Sequence, residues 1–466
     1  MNLAESSFLV FLAAVVPLYA LAVRSGPGPA TGVLLLASAL FYASWNPGYL
    51  LLLAATVVTD YNVGRALVRT GVPARRRALV CVSLGVDLSL LCAFKYFDAL
   101  VLGWSLAGGA APPPWRLLFV TGISFYTFQS LSYVLDVYHG SQAPARSLAH
   151  YAAFVAFFPT LLAGPITRAS VLLPQLAAPA RPMQPELASR GLLLIALGFV
   201  KKCLIADTLA DQLARRVFEQ PLFYSSFEVL CGLYAYAIQL YCDFAGYSDI
   251  AIGTALVLGI RLKDNFRSPY RSTTVAEFWK RWHISFSNWL QDYIFFSLPG
   301  NRRGRVRPYL NILITFVVGG LWHGASWGFL VWGLIHGSVL AFERRFLPPL
   351  RVGAPAWRRV LGAVVTFHVV LVAWVFFGAE SLERVGEIAH RLGALTTGAG
   401  NVPAVVPALI VAVLALQWLP EAWPERAHAA FSRLPALAQA ACLLLVAVVV
   451  HRAAGSAIAP FIYQGF

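Results

Sequence analysis

Read for hydrophobic and polar positions alone, the chain is a series of apolar runs. They fall at about 6–23, 31–45, 48–59, 79–102, 116–137, 151–163, 191–206, 228–260, 309–342, 360–378, 403–419 and 435–451. A helix needs about 20 apolar residues to cross a hydrocarbon core of about 30 Å. Several runs are shorter than that, whereas 228–260 and 309–342 are long enough for two segments each. The pattern predicts an all-α polytopic membrane protein with about eleven spanning helices plus several re-entrant or partial ones. Non-helical backbone at membrane depth is tolerated only inside protein or beside a wet cavity, so the broken runs point to a cavity.

Composition agrees with the pattern. The 466 residues are 59% hydrophobic and 12% charged, against about 45–50% and about 25% in soluble domains. The net charge of +15 is the excess that cytoplasmic loops of membrane proteins carry, so it does not call for nucleic acid. Its distribution orients the chain. The stretch 60–78 holds Arg65, Arg69, Arg75, Arg76 and Arg77 against one aspartate and is expected in the cytoplasm. The uncharged "WSLAGGAAPPPW" (104–115) is expected outside. Three short spans before residue 60 then leave "MNLAESS" outside as well. The N-terminal run has no basic leader and no small-residue cleavage site, so it reads as a first membrane helix. No repeat, linker or long soluble segment interrupts the pattern, and residues 1–466 are expected to form one membrane domain, with lipid as its surroundings.

The region 261–308 carries ten basic residues against Asp264, Glu277 and Asp292. It is expected to be cytoplasmic, with "TTVAEFWKRWHISFSNWLQDYIFF" lying at the interface, where Trp279, Trp282 and Trp289 alternate with charge. The stretch 343–359 is also basic. If both 308 and 343 are cytoplasmic, the residues between them go in and come back. Residues 309–322 then form a helix of about 21 Å, and "GGLWHGASW" is the turn of a hairpin, its glycines permitting a tight bend. His323 would sit deep in the protein.

That makes His323 the first candidate for chemistry, since an ionisable group inside a membrane is costly and imidazole is a general base near neutral pH. A histidine that only hydrogen-bonds a neighbouring helix is the plain alternative. His283, in "WKRWHISFSNW", is the second candidate, with an interfacial histidine as its plain alternative. "LYCDFAGYSDIAIG" (240–253) places Asp243, Tyr247, Ser248 and Asp249 in an apolar run. These could bind a cation, relay a proton, cap a helix at the "YSD" turn or pair with arginine. "FFPTLLAGPITR" (157–168) reads as a short membrane entry broken at Gly164-Pro165, or as an interfacial loop. The six cysteines form no CxxC pair. No HxxxH or HExxH spacing supports a metal, and neither GxSxG nor a Walker A loop is present. "PGNRRGR" (299–305) is basic and too short for more than a solvated face. A transporter with broken helices would also account for Asp243, Asp249 and His323 as an ion path, but it predicts inverted repeats.

At these residues the sequence resembles the membrane-bound O-acyltransferases. The likeness lies in "FWKRWHISFSNWLQDYIF", "YCDFAGYSDIAIG", "FRSPYRSTTVAEF", "FFPTLLAGPITR" and "GGLWHGASWGFLVWGLIHG", over roughly residues 30–345. It is nearest to the branch of membrane subunits of bacterial alginate and exopolysaccharide O-acetyltransferases, whose C-terminal ending "FIYQGF" also resembles. The resemblance implies a ring of helices around a central pore. It also implies an acyl thioester donor on the cytoplasmic side, acetyl-CoA or an acyl-carrier protein carrying acetyl or another group such as D-alanyl. The acceptor and a periplasmic polysaccharide-modifying partner lie on the outer side, and no cofactor is held permanently. It makes His323 the expected catalytic residue and His283 the second functional histidine. Trp322, Trp327, Trp282, Asp243, Tyr247 and Asp249 are then expected along the substrate path. Three departures stand out: Gln291 where the family commonly has arginine, Pro299-Gly300 in place of a Gly-Gly, and Cys242 with Ala245 within the "FDFSGYSD" pattern. They bear on docking of a donor or partner and leave both histidines in place.

Overall fold

The computed structural model describes residues 1–97, 101, 103–104, 120–178, 184–300, 306–347 and 355–453. Most of "WSLAGGAAPPPW" and "PGNRRGR", residues 348–354 of the basic stretch, and the "FIYQGF" ending lie outside the described residues. Among those described, the chain is helical and has no strand. Five helices are long and apolar enough to cross a membrane, and three shorter apolar ones accompany them. The chain is a multi-pass membrane protein. It divides into two units, Met1–Ala196 with Tyr247–Lys263, and Leu197–Gly246 with Asp264–Phe466.

The first unit opens with α1 (Ser6–Ser25), α2 (Pro27–Ala43), α3 (Tyr49–Arg69) and α4 (Pro73–Lys95). Proline at the first turn of α2 and α4 fits the helix start, where its missing N–H is not needed. The expected cytoplasmic loop 60–78 shrinks to three residues, because α3 and α4 continue through all five of its arginines. Asp60, counted among the loop charges, is fully buried inside α3. α5 (Ile123–His139) packs on α3 and α4, and α6 (Leu148–Val155) and α7 (Ala169–Ala177) follow. Between them, residues 157–167 of "FFPTLLAGPITR" are buried almost throughout, with non-helical backbone from Pro165. Irregular backbone of this kind is here enclosed by protein.

α8 (Pro185–Phe199) continues into a π-helical stretch, Val200–Ala206, and α9 (Ser226–Val257) is a single helix of 32 residues. The run 228–260 therefore makes one helix rather than two, and there is no turn at "YSD" for Asp249 to cap. In the second unit come α10 (Val275–Arg281), α11 (Ile284–Leu290), α12 (Arg307–His323), α13 (Trp327–Phe346) and α14 (Ala356–Gly378). They are followed by α15 (Leu382–Gly393), α16 (Val405–Gln417), α17 (Trp423–Ser432) and α18 (Ala436–Ala453).

α12 and α13 form the expected hairpin. A Cβ at Gly320 would stand 2.3 Å from the Phe329 carbonyl oxygen, and one at Gly333 would stand 2.4 Å from that of Phe316. The pairings 320 with 329 and 333 with 316 run in opposite directions, so the two helices are antiparallel and nearly in backbone contact. Only residues without a side chain allow that approach.

Candidate active site

The site is built in the second unit, starting from a helix whose first turn is held from two directions. The Thr274 hydroxyl accepts from the Glu277 N–H at 3.0 Å and caps α10. The Glu277 carboxylate reaches back to the Thr273 N–H and hydroxyl, each at 2.9 Å, as in a capping box. Burial pushes the Glu277 carboxyl up, but those Thr273 donors and the Arg281 guanidinium outweigh it and hold it below its usual range. Glu343, near the end of α13, accepts from the N–H groups of Val275 and Ala276 at 2.7 and 2.9 Å. The far arm of the hairpin is thus fastened to the start of α10.

α10 and α11 meet at a break, Trp282-His283. His283 has φ 42° and ψ 54°, a left-handed backbone that a side chain disfavours by about 1–2 kcal/mol. Asn265 holds the bend from both sides. Its carbonyl accepts from the Ile284 N–H at 2.9 Å, and its side-chain oxygen accepts from the Ser285 N–H and hydroxyl at 3.1 and 2.9 Å. The result is to turn the imidazole inward, where it is 1% exposed. The segment is therefore no surface helix: Trp279, Trp282 and Trp289 are all buried, facing protein rather than lipid. Their spacing around a helix break, rather than along one continuous helix, is what hides them.

The His283 ring stacks on Phe286 at 4.9 Å and meets the edge of Phe244 at 4.6 Å. Phe286 lies 4.6 Å from Trp322 and 5.5 Å from His323. His323 closes α12 and is 3% exposed. Around its ring stand Trp322 at 4.9 Å, Trp332 at 5.1 Å, Phe377 at 5.0 Å and Phe329 at 6.0 Å. Two histidines forty positions apart in sequence therefore share the Phe286 and Trp322 rings. The cage continues through Trp332 to a third, fully buried histidine, His336, whose Nδ1 accepts from the Trp279 indole N–H at 3.3 Å. Trp282 joins the same layer, 5.0 Å from Trp374.

The other predicted residues separate. Asp243 is buried in this unit and pairs with the Lys202 ammonium at 2.7 Å, which also holds Asp207 at 2.8 Å. Pairing is thus its observed arrangement, with a lysine where arginine was expected. Tyr247 and Asp249, buried and half-buried in α9, belong to the first unit. Trp327 is 70% exposed on the first turn of α13, so it does not wall off the site with Trp322. Phe329 and Trp332, two and five positions on, fill that place. Sequence reading passed over Lys202, Glu343, His336 and the phenylalanines of the cage. Lys202 had a signal: a lysine in an apolar run needs a buried acid as partner. Phenylalanines in a membrane sequence carry no such mark. No group of three or more histidine, cysteine or acidic side chains among the described residues could hold a metal.

The motifs of this site fall within residues 141–382, which match the sequence model of the membrane-bound O-acyltransferase family. The probable alginate O-acetylase of Pseudomonas aeruginosa is 42% identical over 362 residues, covering 75% of this chain and 67% of that protein. The chain belongs to the membrane-bound O-acyltransferase family. It is an O-acyltransferase, which sets aside the transporter reading. The chain is also similar to two relatives that bear other names. The peptidoglycan O-acetyltransferase of Helicobacter pylori is 36% identical, covering 75% of this chain and 71% of its own. The teichoic acid D-alanyltransferase of Bacillus subtilis is 28% identical, covering 58% and 71%.

Proposed function

We propose that this protein takes acetyl from acetyl-CoA at the cytoplasmic face of a bacterial inner membrane and passes it outward for O-acetylation of a secreted or periplasmic polysaccharide. The observation that carries the reading is the pair of buried histidines against the shared Phe286 and Trp322 rings. His323 acts as general base: it takes the proton of the acceptor hydroxyl as that oxygen attacks the thioester carbonyl. The carbon–sulfur bond then breaks, and the departing thiolate receives the proton from the imidazolium. His283 orients the thioester. The rings exclude water that would hydrolyse the donor. Trp322 and Trp282 border the path.

The acetylases among the relatives support acetyl as the group and a cell-envelope polymer as the destination. The arginines in 261–308 support a cytoplasmic donor bearing phosphates. A ring of about eleven helices around a pore, acting as one membrane domain, is the architecture this reading entails. The deposited acetyl then passes to a periplasmic partner that modifies the polymer. The D-alanyltransferase relative favours a second reading, transfer of an aminoacyl group from a carrier-protein thioester. Incubating the purified protein with acetyl-CoA and, separately, with a D-alanyl carrier protein separates the two. Turnover of neither thioester, with partners and acceptor supplied, would sink both.

A further inference from the structure

At the turn between α3 and α4 the first unit carries a groove of about 630 Å³. Arg65, Arg69 and Arg75 line it together with the apolar Ala66, Leu79 and Val82. None of these three arginines forms an ion pair with a described carboxylate. Arg65 instead bonds the Tyr61 hydroxyl at 3.3 Å and stands over its ring. The neighbouring arginine does a different task. The two Arg76 Nη groups donate to the carbonyls of Leu67 and Tyr138, each at 2.5 Å. It thereby fastens the end of α3 and the start of α4 to the end of α5. The three groove arginines are thus presented from an anchored backbone, with their charge uncompensated.

The groove also has a defined depth. It lies where the candidate span Tyr49–Arg69 ends and Pro73–Lys95 begins. That is the level at which lipid headgroups meet a protein. Exposed Val58 and Leu88 lie farther along the two helices from the turn.

We propose that this groove binds the headgroup of an anionic phospholipid, its phosphate among the guanidiniums and its chains along α3 and α4. Planar guanidiniums match phosphate oxygens, and a cation near the surface of an anionic leaflet contributes about 1 kcal/mol. The site is independent of the acyl-transfer reading. It does not use the histidines, and its ligand is not consumed.

The test compares binding of a fluorescent phosphatidylglycerol and its phosphatidylcholine analogue by the full-length protein in detergent. Wild type should prefer the anionic lipid. Arg69→Ala with Arg75→Ala should weaken that binding about fivefold per guanidinium lost, leaving the zwitterionic lipid unaffected, while the double lysine variant keeps most of the preference. Equal binding of both lipids by wild type would overturn the proposal. So would undiminished phosphatidylglycerol binding in the double alanine variant, or its full displacement by coenzyme A, which would make this a site for the donor's phosphates. If the alanine pair fails to fold, the lipid preference of wild type and the lysine variant still decides.

Discussion

In the first unit, Asp60 and Asp87 are buried among hydroxyls; in the second, His323 and His336 are buried among rings. Ser130 donates to Asp60 at 2.6 Å and shares a hydrogen bond with the Tyr151 hydroxyl, while Thr56 donates to Asp87 at 3.0 Å. Oxygen meets oxygen, and the cluster ties α3, α4, α5 and α6 together. The histidine cage offers mostly aromatic walls, which give shape and exclude water but bond nitrogen only weakly. The contrast teaches that burial alone does not mark a reactive group. The aspartates sit in a network suited to holding helices, and His323 sits in a cage of aromatic rings.

The sharpest way to break this comparison is to remove its two centres in turn. His323→Ala should lower acyl transfer by about 10²–10⁴-fold, far more than the lower midpoint from the cavity it leaves accounts for. Full transfer by that variant in a complete assembly would refute the catalytic assignment. Asp87→Asn should leave transfer close to wild type, because the amide oxygen can still accept from the Thr56 hydroxyl.

Next in size is the buried Lys202 pair. Asp243→Ala leaves the ammonium with Asp207 alone and should cost about 3–5 kcal/mol of stability, read from denaturation in detergent. A loss of transfer without loss of stability would move Asp243 from the framework into the reaction. Gly333→Ala places a methyl against the Phe316 carbonyl and should cost about 1–3 kcal/mol, seen as a lower midpoint with transfer reduced because the cage shifts.

The smallest effect concerns the α10 cap. The Glu277 carboxyl titrates below its usual value of 4.5. The stability it contributes is present above that value and is lost as pH falls through the lower, folded one. Glu277→Gln should flatten this acid limb of the midpoint–pH curve slightly, and an unchanged curve would remove the cap from the account.

How much of this was legible follows the physics of each signal. The hairpin could be read because two basic flanks bracket a run of fixed length, and His323 because a histidine amid glycine and tryptophan is chemically conspicuous. His283 was legible only as a member of a motif, since the left-handed bend that buries it depends on Asn265, eighteen positions away. Charge counting misplaced Asp60, because a carboxyl in a helix and one in a loop look alike until Ser130 is seen beside it. Tryptophan spacing suggested a membrane surface for α10 and α11, but the break between them turns the rings inward. Trp327 shows the reverse: a motif residue next to the site in sequence, pointing away from it.

The glycine contact between α12 and α13 has one more consequence. Two backbones in touch cannot slide or rotate against each other, so the hairpin behaves as a ruler. Its first arm, 17 residues from Arg307 to His323, measures about 25 Å at the helical rise. The imidazole stands at the end of that scale. How far into the protein the base lies is set by counting residues, and one inserted or deleted along α12 would change both the reading and the direction in which the histidine points.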